Sequence, residues 1–160
     1  MTPETLSRSA LEVLKDDEGS VALGWVGTGV LYSRFAGGLS LNVGTLHHAR
    51  LEDTLRQVES VRYFIDSSAL DYYDIRTRRA FTRLVLTHRH RFSELVLLTW
   101  AGGISKTAEK FAAIVGEPLT LVTDQRVFER LLAHVAPLAR QRLDPRTGWT
   151  SAPRYAHKPS

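Results

Sequence analysis

The segment VRYFIDSSALDYYDI, residues 61–75, sets Asp66-Ser67-Ser68 between an apolar run and a stretch with helical spacing. Two serines at such a place invite two chemistries. One is capping. In Ser68-Ala69-Leu70-Asp71 an acid stands three places after a hydroxyl, a capping-box pattern with Asp in place of Glu or Gln. It predicts Ser68 as the N-cap of a helix running from about Leu70 to Arg91. The other chemistry is phosphoryl acceptance, because free amides and the helix dipole at an N-terminus favour an anion. Asp71 and Asp74, in the expected first turn, oppose a phosphate there by repulsion.

Other chemistries lack parts. WAGGISKTAEKF, residues 100–111, leads from a strand through glycines into Ser-Lys-Thr and a helix. The G-x-x-x-x-G-K-[ST] loop would need glycines where Trp100 and Ser105 stand, so the phosphate cradle is missing. His47-His48 and His88-Arg89-His90 come without the further ligands of a zinc site, so no metal is expected. No Gly-x-Ser-x-Gly elbow or other nucleophile–base arrangement is present. The chain is therefore read as a non-enzymatic protein without a cofactor.

The elements that position these residues follow from periodicity. Thr2-Pro3-Glu4 reads as a helix start and Leu6, Ala10, Val13 and Leu14 as its apolar stripe, ended by Asp16-Asp17-Glu18-Gly19. SVALGWVGTGVLYSRFAGGLS predicts two strands turning at Gly27-Thr28-Gly29. Residues 45–58 have helical spacing. Then strand-like 61–65, 94–100 and 118–122 alternate with helices over about 70–91, 105–115 and 124–139. Alternation in units this short predicts an α/β fold, a mixed, mostly parallel sheet with helices packed on it.

At 160 residues, 43% hydrophobic and 24% charged, the chain has the size and composition of one soluble domain. No apolar run is long enough to span a bilayer, and the N-terminus lacks the order of a signal peptide. The absence of cysteine excludes disulfides and thiol nucleophiles and fits a cytoplasmic location. The formal charge is +4, and Arg140, Arg142, Arg146, Arg154 and Lys158 against Asp144 account for all of it. Residues 1–19 are thus expected as an N-terminal helix, 20–139 as the domain and 140–160 as a basic flexible tail. Residues past about 142 are expected to add little stability.

The helix after the serines carries six arginines and no acid between Ile75 and Arg91. At about 100° per residue, Phe81, Leu84 and Val85 should meet the sheet, with Arg76, Arg79 and Arg83 opposite them. Ile75 and Leu86 flank those arginines. Such a face is either solvated or a docking surface, because arginine beside exposed aliphatics is favoured at interface centres. Nucleic acid fits it less well, since no aromatic platform is interleaved.

YFIDSSAL, the element order around it, and the later LVLLTW and AEKFAAIVGEPLTLVTDQRVFERLL resemble the STAS domain, the fold of bacterial anti-sigma factor antagonists. The likeness covers about residues 20–139. FIDSSAL is similar to the family's Asp-Ser-Ser-Gly-Leu signature, with Ala69 where the signature has glycine. The resemblance implies a signalling module that binds a partner protein and is switched by a kinase at Ser68, with Ser67 beside it. The expected partner surface joins Asp66 and Asp71 to Ile75, Arg76, Arg79, Arg83 and Leu86. A phosphate-independent interaction or assembly subunit, self-associating or not, is the alternative. A third reading is a small-ligand crevice at the strand ends near Trp100 to Ile104.

Overall fold

A computed structural model of the protein describes residues 11–100 and 103–143. Six strands form one sheet: β1 (Glu12–Lys15), β2 (Gly19–Gly27), β3 (Val30–Leu39), β4 (Val61–Tyr73), β5 (Phe92–Leu98) and β6 (Leu119–Val122). They lie side by side in chain order. The first two pairings are antiparallel and the last three parallel. The parallel connections carry α1 (Leu41–Arg56), α2 (Ile75–Thr87) and α3 (Gly103–Val115). Each advances the sheet by one strand in the same direction. Right-handed crossovers then put all three helices on one face. The chain returns over the other face as α4 (Gln125–Val135) and α5 (Ala139–Arg142).

Strand alternation sorts the core accordingly. Tyr63 and Ile65 of β4 join Phe35, Leu51, Leu55, Leu84, Val85 and Phe111 beneath α1–α3. Phe64, between them in sequence, points the other way and meets Tyr32, Val96, Phe128 and Leu132 beneath α4. A sheet covered on both faces makes its inner strands nearly continuous apolar runs, which is why 61–65 and 94–100 read so clearly.

Two expectations are corrected. Glu12–Lys15, expected as the end of an N-terminal helix, is strand β1, while residues 1–10 lie outside the described residues. Leu11 and Leu14 have opposite strand parity and pack on opposite faces, so their spacing serves a strand here. The acidic run closes the β1–β2 hairpin. Asp16 Oδ1 accepts from the backbone N–H of Glu18 and Gly19, at 2.9 and 3.2 Å. Its other oxygen accepts from Ser40 Oγ, and that bond, ahead of the Glu18 amide, lowers the carboxyl below its usual range. Ser40 Oγ in turn accepts from the Val43 N–H and caps α1, which therefore starts before residue 45.

The second correction concerns the serines. No helix begins at Leu70: β4 runs on through Asp-Ser-Ser to Tyr73, and Asp74 caps α2 by accepting from the Arg76 N–H. The cause lies in β3. Its end, Ala36-Gly37-Gly38-Leu39, stays in the sheet, with Gly37 at a φ of 74°, and pairs with Ala69, Leu70, Tyr72 and Tyr73. Backbone partners on that edge hold the chain in the sheet, and a weak local cap does not compete. Gly38 permits the approach, because a Cβ there would overlap the Tyr72 ring at 2.2 Å.

Leu143 lies just past α5 and is fully buried against the second core cluster. The expected boundary between domain and tail at 139–140 therefore falls within α5. The residues past about 142, expected to add little stability, begin with a core residue. Leu143→Ala, or truncation after Arg142, is expected to cost about 2–5 kcal/mol, as other large-to-small core changes do. Thermal melts should show a drop of about 2–4 °C per kcal/mol for a chain of this size.

Candidate functional site

Asp66, Ser67 and Ser68 sit within β4 at 2%, 7% and 1% exposure. Ser68 donates to Asp66 Oδ1 from both its backbone N–H and its hydroxyl. Ser67 Oγ donates to the Leu98 carbonyl on β5 at 2.7 Å. The β3–β4 register slips between Arg34 and Ala36, next to these residues. What sequence suggested as an exposed strand-to-helix junction is a buried, self-bonded irregularity of the sheet. Asp66 therefore does not belong to a surface, whereas Asp71, further along β4, is exposed.

On α2 the helical phase is as expected at most positions. Ile75, Arg76, Arg79, Arg83 and Leu86 are exposed, Leu84 and Val85 are buried, and Phe81 is half-buried. Arg76 is committed to Asp74, with its Nε 3.0 Å and its Nη2 2.9 Å from the two carboxylate oxygens. That guanidinium, through its side-chain hydrogen bond first, holds the Asp74 carboxyl down at about 2. Arg79 and Arg83 make no ion pair among the described residues.

The histidines separate by burial. His47 of α1 lies in the core, with Nε2 3.0 Å from Ser33 Oγ, which is 2.6 Å from the Tyr63 hydroxyl. Phe35 meets its ring edge-on at 5.0 Å, and Phe81 lies at 6.3 Å. Burial, and secondarily the neighbouring His48, pushes His47 down to about 3, so it is neutral. The same burial raises the Tyr63 hydroxyl. His48 and His88 both face Glu52, at 4.0 and 3.7 Å. Among the described residues no group of three His, Asp or Glu side chains is arranged to hold a metal ion.

Above this network a cleft of about 110 Å³ opens between the sheet and α1–α3. Phe35, Leu39, Ile65, Leu70 and Leu97 form its floor, and Phe81, Ala108 and Phe111 its roof. Several of its polar groups are bonded within the protein, while the buried His48 Nδ1, also in its lining, has no hydrogen-bond partner among the described residues. Ser67 is tied to Leu98, His47 to Ser33, and Thr82 Oγ1 donates to the Arg78 carbonyl at 3.0 Å. Partly exposed Tyr73, Arg78, Thr82 and Thr107 mark the mouth, with the Arg78 guanidinium 6.0 Å from the centre of the Tyr73 ring. The α1–α2 wall is tight, because a Cβ on Gly44 would come within 2.3 Å of Thr77 Cγ2. Such a space is built for apolar matter.

The crevice expected near Trp100 to Ile104 falls largely outside the described residues. Among the described strands the order does not reverse, as it does at the usual ligand sites of open α/β sheets.

Among solved structures, this architecture resembles an uncharacterized protein of the DUF3478 family with a SpoIIAA-like fold from Shewanella loihica PV-4. The TM-score is 0.53 over 77% of this chain and 92% of that one, at 14% identity. The fold is SpoIIAA-like. A second match is the anti-sigma factor antagonist SpoIIAA in its unphosphorylated form, at a TM-score of 0.44, 14% identity, and 76% and 97% coverage. No protein-family model matches the sequence, and no curated protein does.

The SpoIIAA-like sheet thus agrees with the resemblance read in the sequence, and it keeps the two halves of the expected surface apart. Asp66, Ser67 and Ser68 are inside, while Ile75, Arg76, Arg79, Arg83 and Leu86 are outside. The Ser33–His47–Tyr63 network and the cleft were not anticipated. His47 did carry a signal: it falls on the apolar stripe of α1 with Val43, Leu51 and Leu55, which are all buried. Its partners come from two strands remote in sequence, and no local pattern joins them. Among the described residues no helix is long and apolar enough to cross a membrane.

Proposed function

We propose that this chain is a non-enzymatic, STAS-type regulatory module whose input is a small, mainly apolar molecule held in the cleft under α1–α3. The observation that carries this reading is the cleft itself, whose exposed lining is mainly apolar and whose Ser67 and His47 are already bonded within the protein. An apolar cleft of this kind gains free energy by covering hydrocarbon surface. Arg78 at the mouth adds a preference for a carboxylate head on an apolar body. A space of about 110 Å³ takes a short chain or one ring. Each buried methylene contributes about 0.8 kcal/mol, so about five give roughly 4 kcal/mol, or a Kd near ~1 mM before the head group adds to it. Switching by phosphate at Ser67 or Ser68 is disfavoured, since both hydroxyls are buried and bonded.

Calorimetric titration with hexanoate, hexanol and benzene tests the reading. Saturable binding is expected, with hexanoate tighter than hexanol. Ala108→Phe should fill the cleft and abolish binding while the protein remains folded by circular dichroism. Absence of saturable binding to the wild type, or equal binding to Ala108→Phe, overturns the assignment.

A further inference from the structure

A second concavity, of about 480 Å³, runs along the outer surface between α2 and α3. It borders the cleft at Arg78, Thr82, Thr107 and Phe111 but faces solvent. Arg79 and Arg83 project from one wall and Lys110 from the other. Among the described residues no acid lines it, and none of these three cations has an ion-pair partner. Leu86 and Ile114, at 40% and 59% exposure, are two of the large apolar side chains that the domain leaves open, and both belong to this groove.

The two walls are also in step. Each helix connects parallel strands by a crossover of the same kind, so α2 and α3 run in the same direction. Arg79 and Arg83 precede Leu86 along α2, as Lys110 precedes Ile114 along α3. The groove therefore has a cationic end and an aliphatic end. A concavity between two helices that run the same way, basic first and apolar after, suits a helix laid along it.

We propose that this groove is the docking site for an acidic amphipathic helix of a partner protein. The helix places carboxylates against Arg79, Arg83 and Lys110, and aliphatic side chains against Leu86 and Ile114. Arg76 is not part of the contact, because Asp74 already neutralises it. An anionic membrane would be drawn by the same charges, but a planar surface cannot fill a concavity, and a helix can. Single-stranded nucleic acid would leave the aliphatic end unused and would find no stacking platform there. The assignment does not depend on what the cleft binds.

Selection of a displayed library of helical peptides on the immobilised full chain tests it. Enriched sequences should be acidic at one end, with aliphatics at spacings of three, four and seven residues. The selected peptide should bind Arg79→Glu/Arg83→Glu at least tenfold more weakly, and a peptide with its acids changed to lysine should recover binding to that variant. Leu86→Ser and Ile114→Ser should each weaken the original peptide several-fold, with melting temperatures near wild type for all variants. Three results overturn the proposal. They are enrichment of non-acidic peptides or of none, equal affinity for the charge-reversed variant, and co-sedimentation with phosphatidylglycerol vesicles that the charge reversal abolishes while no peptide competes.

Discussion

Ser68→Asp is expected to lose about 3–5 kcal/mol of stability, a large part of what a domain of this size possesses. Ser68 is buried within β4 and its hydroxyl donates to Asp66 Oδ1. An aspartate at that place exchanges a donor for a second carboxylate against the first. Two like charges at a buried site cannot both remain ionised cheaply, so one takes a proton or the strand opens. Ser68→Ala only removes the donor and should cost about 1–3 kcal/mol. Urea melts of the three proteins give the ranking wild type, Ala, then Asp. Were Ser68 the cap of an exposed helix, the aspartate variant would match the wild type, because aspartate is itself a good cap. A stable Ser68→Asp protein would show that this part of β4 separates readily from its neighbours and would reopen the kinase reading.

Acid should destabilise the wild type more steeply than His47→Gln. In the folded protein His47 titrates at about 3, below its ordinary 6.5, because it is buried among Phe35, Phe81 and the Ser33 hydroxyl. The unfolded chain takes the proton first. The stabilisation is therefore complete above pH 6.5 and is lost as the pH falls toward 3. The loss amounts to about 1.4 kcal/mol per pH unit, or of order 4–5 kcal/mol across the window. His47→Gln starts less stable, having given up packing, but its stability should change less between pH 6.5 and 4.5. The difference between the two proteins cancels titrations elsewhere. Parallel slopes would mean that His47 ionises without leaving its place, with water reaching the Ser33–Tyr63 network.

Elements with strong local patterns were legible in the sequence. β2 and β3 turn where Gly27-Thr28-Gly29 stands, and β5, α3 and β6 fall close to their expected bounds. The end of β4 was not legible because DSSALDYY carries a capping pattern, and its strand state is imposed by Ala36-Gly37-Gly38-Leu39, some thirty residues earlier. Likewise LEVLK has apolar spacing compatible with either period, and only pairing with β2 decides it. Exposure on α2 depends on one helix's phase, so Arg79 and Arg83 were readable as a face. The cleft needs β3, β4, β5 and three helices at once, and His47 gains its meaning from Ser33 and Tyr63 across the sheet.

The order of the strands has a consequence for how the molecule is made. Every strand pairs with its neighbour in the chain, so the sheet can grow by accretion as the polypeptide leaves the ribosome, with no strand waiting for a later one to be inserted beside it. The face under α1–α3 is covered as each crossover forms. The opposite face is not. Tyr32, Phe64, Val96 and Leu98 stay open to solvent until α4 delivers Phe128 and Leu132 and the chain reaches Leu143. Nascent chains stalled after β6 should therefore bind hydrophobic-patch chaperones and dyes, and release of the last segment through Leu143 should end that binding in one step.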